Sequence, residues 1–372
     1  MKLNTLKSLA FNFTSAFSTE ETQQVLQNLG HLAKLRALDL NLKSHDVNDL
    51  EFVFKNLCNL KELSFLGLQL GKLCNKKVQE ALVTQEMEVA KSLKNISHLE
   101  LETYYDSCYF QTFEQFLGVL ETLSSLISLN LTINRCKSSF KELIRCCLPQ
   151  ENSILSNLKY LYLEGYSQGI GLDLASYFLK PSVNLQICNL KNIELNEDLI
   201  DSVFKNREMK ELKVVYEKEF ETLALQKLCL NIGRLENLQL FSVQLHSQNP
   251  CNFDFESLIK GVSNLKKADT IVVEVVFPIT IKPASFGKFF EVLSKLKNLT
   301  AIKVDLRLQN LLKGSSIKKL FLKENIDIVT LTIENMKLSK DDEKWIKESM
   351  KKLKKLTSCY VECEDFKVDR RF

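Results

Sequence analysis

Leu126-Ile127-Ser128-Leu129-Asn130-Leu131 is followed one repeat later by Leu158-Lys159-Tyr160-Leu161-Tyr162-Leu163, and the two hexapeptides share one apolar pattern. An apolar residue, two variable ones, an apolar residue, one variable and another apolar define it. The same phrase is found at Leu35-Arg36-Ala37-Leu38-Asp39-Leu40 and at Leu60-Lys61-Glu62-Leu63-Ser64-Phe65. Copies begin at Leu6, Leu35, Leu60, Ile96, Leu126, Leu158, Leu185, Met209, Leu238, Leu265, Leu299, Ile326 and Leu356. A fixed motif recurring about every 29 residues is the mark of a repeat array in which each unit packs on its neighbours.

Within a copy the alternation has period two, so each phrase predicts a short strand. Positions four and six point inward; positions three, five and seven point to the opposite side. Helical signals follow the strands. Ser18-Thr19-Glu20-Glu21 reads as a capping box ahead of Val25, Leu26 and Leu29. Asp46 precedes an apolar stripe of Leu50, Val53, Phe54 and Leu57, and Ser139 with Glu142 opens another helix. Strand then helix, repeated, predicts a curved α/β solenoid over residues 1–372: about thirteen parallel strands on the concave face, helices on the convex face.

The hexapeptides and their spacing resemble the leucine-rich repeat superfamily, and helical repeats of about this length are similar to its ribonuclease-inhibitor-like class. That resemblance implies a curved horseshoe whose concave surface binds protein. It also implies an asparagine three residues beyond position six that bonds neighbouring backbone. Asn134 fits; Asn192 is one position early, Asn335 one late, and Thr14 and Lys43 occupy the slot elsewhere. A continuous asparagine ladder is therefore not expected. The tenth copy is the poorest, with Ala268 and Thr270 where leucine belongs, and Ile271 to Phe277 reads as its strand in a shifted register closed by Pro278.

Composition narrows the function. Fifty Lys and Arg against 46 Asp and Glu give a net charge of +4, which argues against a nucleic-acid partner. No run approaches the roughly 20 apolar residues of a membrane helix, and Met1 to Phe13 does not read as a secretory signal. Eleven irregularly spaced cysteines suit reduced thiols and a cytoplasmic protein, with Cys188 and Cys359 filling leucine positions. Both ends of the array lack a polar capping repeat, so either a partner or second copy is expected to cover them or the sequence is a piece of a longer protein. The lysine-rich segment 337–355 around Trp345, Ile346, Met350 and Leu353 reads as the helix of the last repeat.

Catalytic, cofactor and metal motifs are not found. His98 is the one histidine on a predicted outward position, beside Glu62, Glu100 and Ser128, and Gly165, Gly169 and Gly171 lack the rest of a phosphate loop. The expectation is a non-enzymatic scaffold or adaptor with no cofactor and no metal. The alternative is a regulatory subunit such as a leucine-rich repeat type GTPase-activating protein. Reading positions three, five and seven gives the candidate protein-binding surface. Asp39, Glu62, Glu100 and Glu102 form an acidic region suited to a basic segment of the partner. Tyr160, Tyr162, Ile187 and Leu240 are the candidate anchors. Further along, Lys191, Lys213, Lys267 and Lys303 stand against Glu211, Asp269 and Asp305.

Overall fold

The computed structural model describes residues 5–13, 19–43, 57–72, 93–104, 120, 123–134, 154–165, 170–193, 195–217, 222–246 and 253–371. The helices expected after Asp46 and Ser139, Ser18 and the side chain of Thr19 in the first capping box, and the side chain of Asn134 lie outside the described residues. The chain divides into two compact units, Met1–Leu185 and Gln186–Phe372.

Unit 1 carries six strands: β1 (Ser8–Asn12), β2 (Ala37–Leu42), β3 (Phe65–Lys72), β4 (His98–Tyr104), β5 (Ser128–Asn134) and β6 (Tyr160–Gly165). Each pairs in parallel with the next in chain order. Unit 2 continues the pattern with β7 (Ile187–Lys191), β8 (Glu211–Tyr216), β9 (Leu240–Leu245), β10 (Thr270–Ile279), β11 (Ala301–Lys313), β12 (Ile328–Lys337) and β13 (Ser358–Cys363), again parallel. The sequence did not announce β14 (Phe366–Arg371), which runs antiparallel along β13. Its exposed Lys367, Asp369 and Arg371 give that end a polar cover, which corrects the expectation of a bare C-terminal repeat.

Helices alternate with the strands. Among the described residues of unit 1 these are α1 (Thr19–Leu29) and α2 (Ile170–Leu179). In unit 2 they are α3 (Glu197–Lys205), α4 (Thr222–Asn231), α5 (Phe255–Val262), α6 (Pro283–Lys295) and α7 (Lys340–Lys352). Asn196 caps α3 by accepting from Leu199 N at 2.8 Å, and Asp254 caps α5 through Glu256 and Ser257 N. Ser339 and Asp342 form a full capping box on α7, whose Ile346 and Met350 are buried. The lysine-rich segment is thus a repeat helix whose apolar stripe the core uses.

Strand register fixes the repeat frame and corrects it twice. Gly67 of β3 stands opposite Asp39 and Glu100, so the third copy starts at Leu63, not Leu60. Val272 of β10 stands opposite Ser242 and Lys303, so the tenth starts at Ala268, not Leu265. The shifted strand expected at Ile271 is therefore real, but it runs past Pro278 to Ile279. Pro278 falls within a break in the β10–β11 register, where a missing N–H costs no ladder bond.

The slip has a cause. Three residues before position one lies a second buried column, holding Leu32, Leu60, Leu93, Leu123, Leu155, Leu235, Leu265 and Leu296. It spells the same apolar-x-x-apolar phrase.

An asparagine ladder does exist, at a different site from the one searched. The residue immediately before position one is asparagine in six copies, and five of these, Asn95, Asn184, Asn237, Asn298 and Asn325, form the ladder. Each side chain donates to a carbonyl of the preceding repeat: Lys61, Ser156, Arg207, Lys266 and Lys297, at 2.7–3.1 Å. The acceptor is in every case two residues before position one, which confirms both corrected frames. The off-slot asparagines also bond across repeats. Asn192, at a φ of 54° that asparagine tolerates, accepts from Glu217 N at 2.7 Å; Asn335, at 58°, donates to Leu308 O; Asn310 both donates to and accepts from Ile281.

Candidate functional site

On unit 1, position five carries Ala10, Asp39, Gly67, Glu100, Asn130 and Tyr162 on successive strands. Gly67 leaves a gap in that row. Asp39, Gly67, Gln69, Glu100, Glu102, Asn130 and Thr132 line a hollow of about 110 Å³. A Cβ on Gly67 would come within 2.7 Å of the Asp39 carboxylate, so the hollow and the close approach of that acid both depend on glycine. Register therefore brings together three of the four acids read from the sequence.

Glu62 is the exception. With the third copy starting at Leu63, it precedes β3 and leaves the outward columns, where it forms a 3.3 Å ion pair with Arg36. It does not neighbour His98, which instead meets Ser97 Oγ through Nδ1 at 2.8 Å. Sequence reading also placed no cation in this region, yet Lys43 reaches Glu102 at 2.7 Å from position nine of the second copy. The acidity of the hollow rests chiefly on Asp39 and Glu100.

Tyr160 and Tyr162 project from β6 on the same face. Tyr160 is 37% exposed. Tyr162 donates its hydroxyl to Glu164 at 2.7 Å, which holds the ring in place over a buried carboxylate. Strands lie about 4.8 Å apart, so β2 to β6 spans roughly 19 Å. An extended segment of about six residues would reach from Asp39 to Tyr162.

On unit 2, Ile187 and Leu240 occupy position three of β7 and β9, half-buried, with Glu211 of β8 between them. Lys267 and Asp269 leave the outward columns with the frame shift. Lys267 instead donates to Asn237 Oδ1 at 2.6 Å. Glu274 takes over position seven of β10, buried and held by Lys303 at 2.6 Å and by His246 Nε2 at 3.3 Å. Burial, and then the neighbouring Glu274, push the Asp305 carboxyl above its ordinary range. Sequence reading missed this cluster because the tenth copy was out of frame.

The inward thiols behave as expected. Burial pushes Cys188, Cys229 and Cys359 up to about 12, which makes them inert hydrophobes. Among the described residues, no group of three or more His, Cys, Asp or Glu could hold a metal ion, and no helix is long and apolar enough to cross a membrane.

One parallel strand per copy, with the leucine columns turned inward, is the decisive observation. The chain has the leucine-rich repeat fold. No protein-family model matches this leucine-rich repeat chain. It is similar to an F-box/FBD/LRR-repeat protein of Arabidopsis thaliana, 25% identical over 170 residues. That match spans 41% of this chain and 38% of the relative. The crystal structure of the Rad7 and Elc1 complex in yeast shares the fold, with a TM-score of 0.51 at 13% identity over 98% of this chain and 79% of that one.

Proposed function

We propose that this protein is a non-enzymatic recognition scaffold that holds a partner protein across the strand face of unit 1. The partner presents a basic segment to Asp39, Glu100 and Glu102, and an apolar contact to Tyr160 and Tyr162. The row from Asp39 through the Gly67 hollow to Tyr162 carries this reading: it joins a carboxylate-lined depression to a half-buried aromatic within the length of one short extended segment. The roles divide by physics. Exposed carboxylates steer association and are screened by salt, whereas a desolvated tyrosine governs release. The similarity to an interaction-type repeat protein and to a repeat fold solved as a complex agrees with a binding role.

The test is affinity purification with the intact chain, followed by kinetics on the partner recovered. Tyr160→Ala and Tyr162→Ala should each weaken binding by about 2 kcal/mol, through faster dissociation. Glu100→Lys should slow association and flatten its salt dependence. Unchanged affinity in both tyrosine variants overturns the proposal.

A further inference from the structure

The strand face of unit 2 holds a second constellation, at position five of β7, β8 and β9. Register places Asn189, Lys213 and Ser242 side by side across the three strands. Each is incompletely used within the chain. Among the described residues, Asn189 Oδ1 and Ser242 Oγ are buried side-chain atoms without a hydrogen-bond partner. Ser242 is 1% exposed, a short side chain between the longer Lys213 and Val272. Lys213 has no carboxylate partner among the described residues. Its counterparts on nearby strands do: Lys191 pairs with Glu217 at 3.1 Å and Lys303 with Glu274 at 2.6 Å.

A buried polar group without a partner is completed by water or by a ligand, and two of them beside a lysine on neighbouring strands form a candidate docking point. The three unmet needs differ in sign, and that identifies the chemistry. The Lys213 ammonium and the Ser242 hydroxyl are donors that a carboxylate would satisfy together. Asn189 Oδ1 is an acceptor and needs an N–H, which a bare anion cannot give and a peptide group can. Ile187 and Leu240, at position three on the flanking strands, add half-buried apolar surface for a neighbouring side chain. Glu211, at position three of β8, repels a carboxylate approaching from that end and directs it toward Lys213.

We propose that the β7–β9 face of unit 2 is a docking site for an acidic residue of a partner polypeptide. Its carboxylate accepts from Lys213 Nζ and Ser242 Oγ, and a backbone N–H of the partner donates to Asn189 Oδ1. This rests on the reading that strand faces of this protein bind protein, and adds a site of opposite charge preference to the one on unit 1.

The probe is the capped peptide acetyl-Leu-Glu-Leu-amide, compared with its Gln analogue, titrated into the full chain and followed by amide chemical shifts. The Glu peptide should give saturable shifts centred on Asn189, Lys213 and Ser242. The Gln peptide should bind about tenfold more weakly, since it forfeits a charge-assisted pair. Lys213→Met should abolish the preference for Glu, and Ser242→Ala should reduce affinity while leaving some preference. Equal binding of the two peptides, unchanged discrimination in Lys213→Met, or no saturable shift up to the solubility limit overturns the proposal. Tyr160→Ala and Tyr162→Ala lie in unit 1 and report on the scaffold reading separately, so failure of one is not failure of the other.

Discussion

Val272 and Val273 are adjacent, chemically identical residues of β10 that register assigns to opposite faces, so shortening each to alanine tests the frame of the least regular repeat. Val273 is fully buried, and Val272 is half-buried on the outward side. Removing two methyl groups from the core forfeits about 1.6 kcal/mol at roughly 0.8 kcal/mol each. The cavity left beside Val243 and Val304, its neighbours in register, raises the expected loss for Val273→Ala to about 2–3 kcal/mol. At Val272 the same methyls keep part of their contact with water in the folded state. The loss there should stay below about 1 kcal/mol, mostly from strand preference. Urea unfolding measures both, read with amide exchange of unit 2, because repeat arrays need not unfold in a single step. Equal losses at the two positions, or a greater loss at Val272, would refute the register and the outward assignment of Glu274 with it.

Two further outcomes follow from the inward columns and the ladder. Lys323 is 8% exposed in a column that holds leucine in most repeats; its ammonium donates to Leu296 O, and burial lowers its pKa. Lys323→Leu should therefore raise stability at neutral pH by about 1 kcal/mol or more. A lysine depressed in the folded state makes the wild type gain stability as pH rises through that lowered value, so the advantage of the variant should shrink there; a constant or growing advantage counts against a buried charge. Asn237→Ala should cost about 1 kcal/mol by removing the 3.1 Å bond to Arg207 O, whereas exposed Gln239→Ala should cost little in the same thermal-unfolding comparison.

Most of the architecture could be read directly because positions one, four and six are all leucine in copies such as those at Leu126 and Leu158, which outweighs the upstream phrases begun at Leu123 and Leu155. The third and tenth copies could not be framed so easily. Leu60 and Leu265 belong to a buried column three residues upstream, and only hydrogen bonding to a neighbouring strand distinguishes the two readings. Glu62 was assigned to the surface row through that slip, and Glu274 was lost from it. Asp39, Glu100, Tyr160 and Tyr162 fall on their true columns because Leu or Ile fills positions one, four and six of their copies in the correct frame. The cations that neutralise Glu62 and Glu102 come from outside the columns, and periodicity carries no information about how far a lysine or arginine side chain reaches. The ladder had a visible signal, an asparagine directly before the first apolar residue in copy after copy, but at a different slot from the one examined. β14 offered none, since Lys367-Val368-Asp369-Arg370-Arg371 is too polar for alternation to stand out.

The reversed direction of β14 bears on how copies of this protein behave toward one another. A parallel strand at the margin of a repeat stack is a template: its free N–H and C=O groups match those of any other repeat, including one from a neighbouring molecule, and such matching can continue without limit into fibres. Along β13 those groups are consumed by a strand of opposite polarity. The new margin has the wrong direction to seat a further parallel repeat, and Lys367, Asp369 and Arg371 line it with charge that an incoming strand would have to desolvate. At this margin, runaway polymerisation is opposed by chain direction and by charge together.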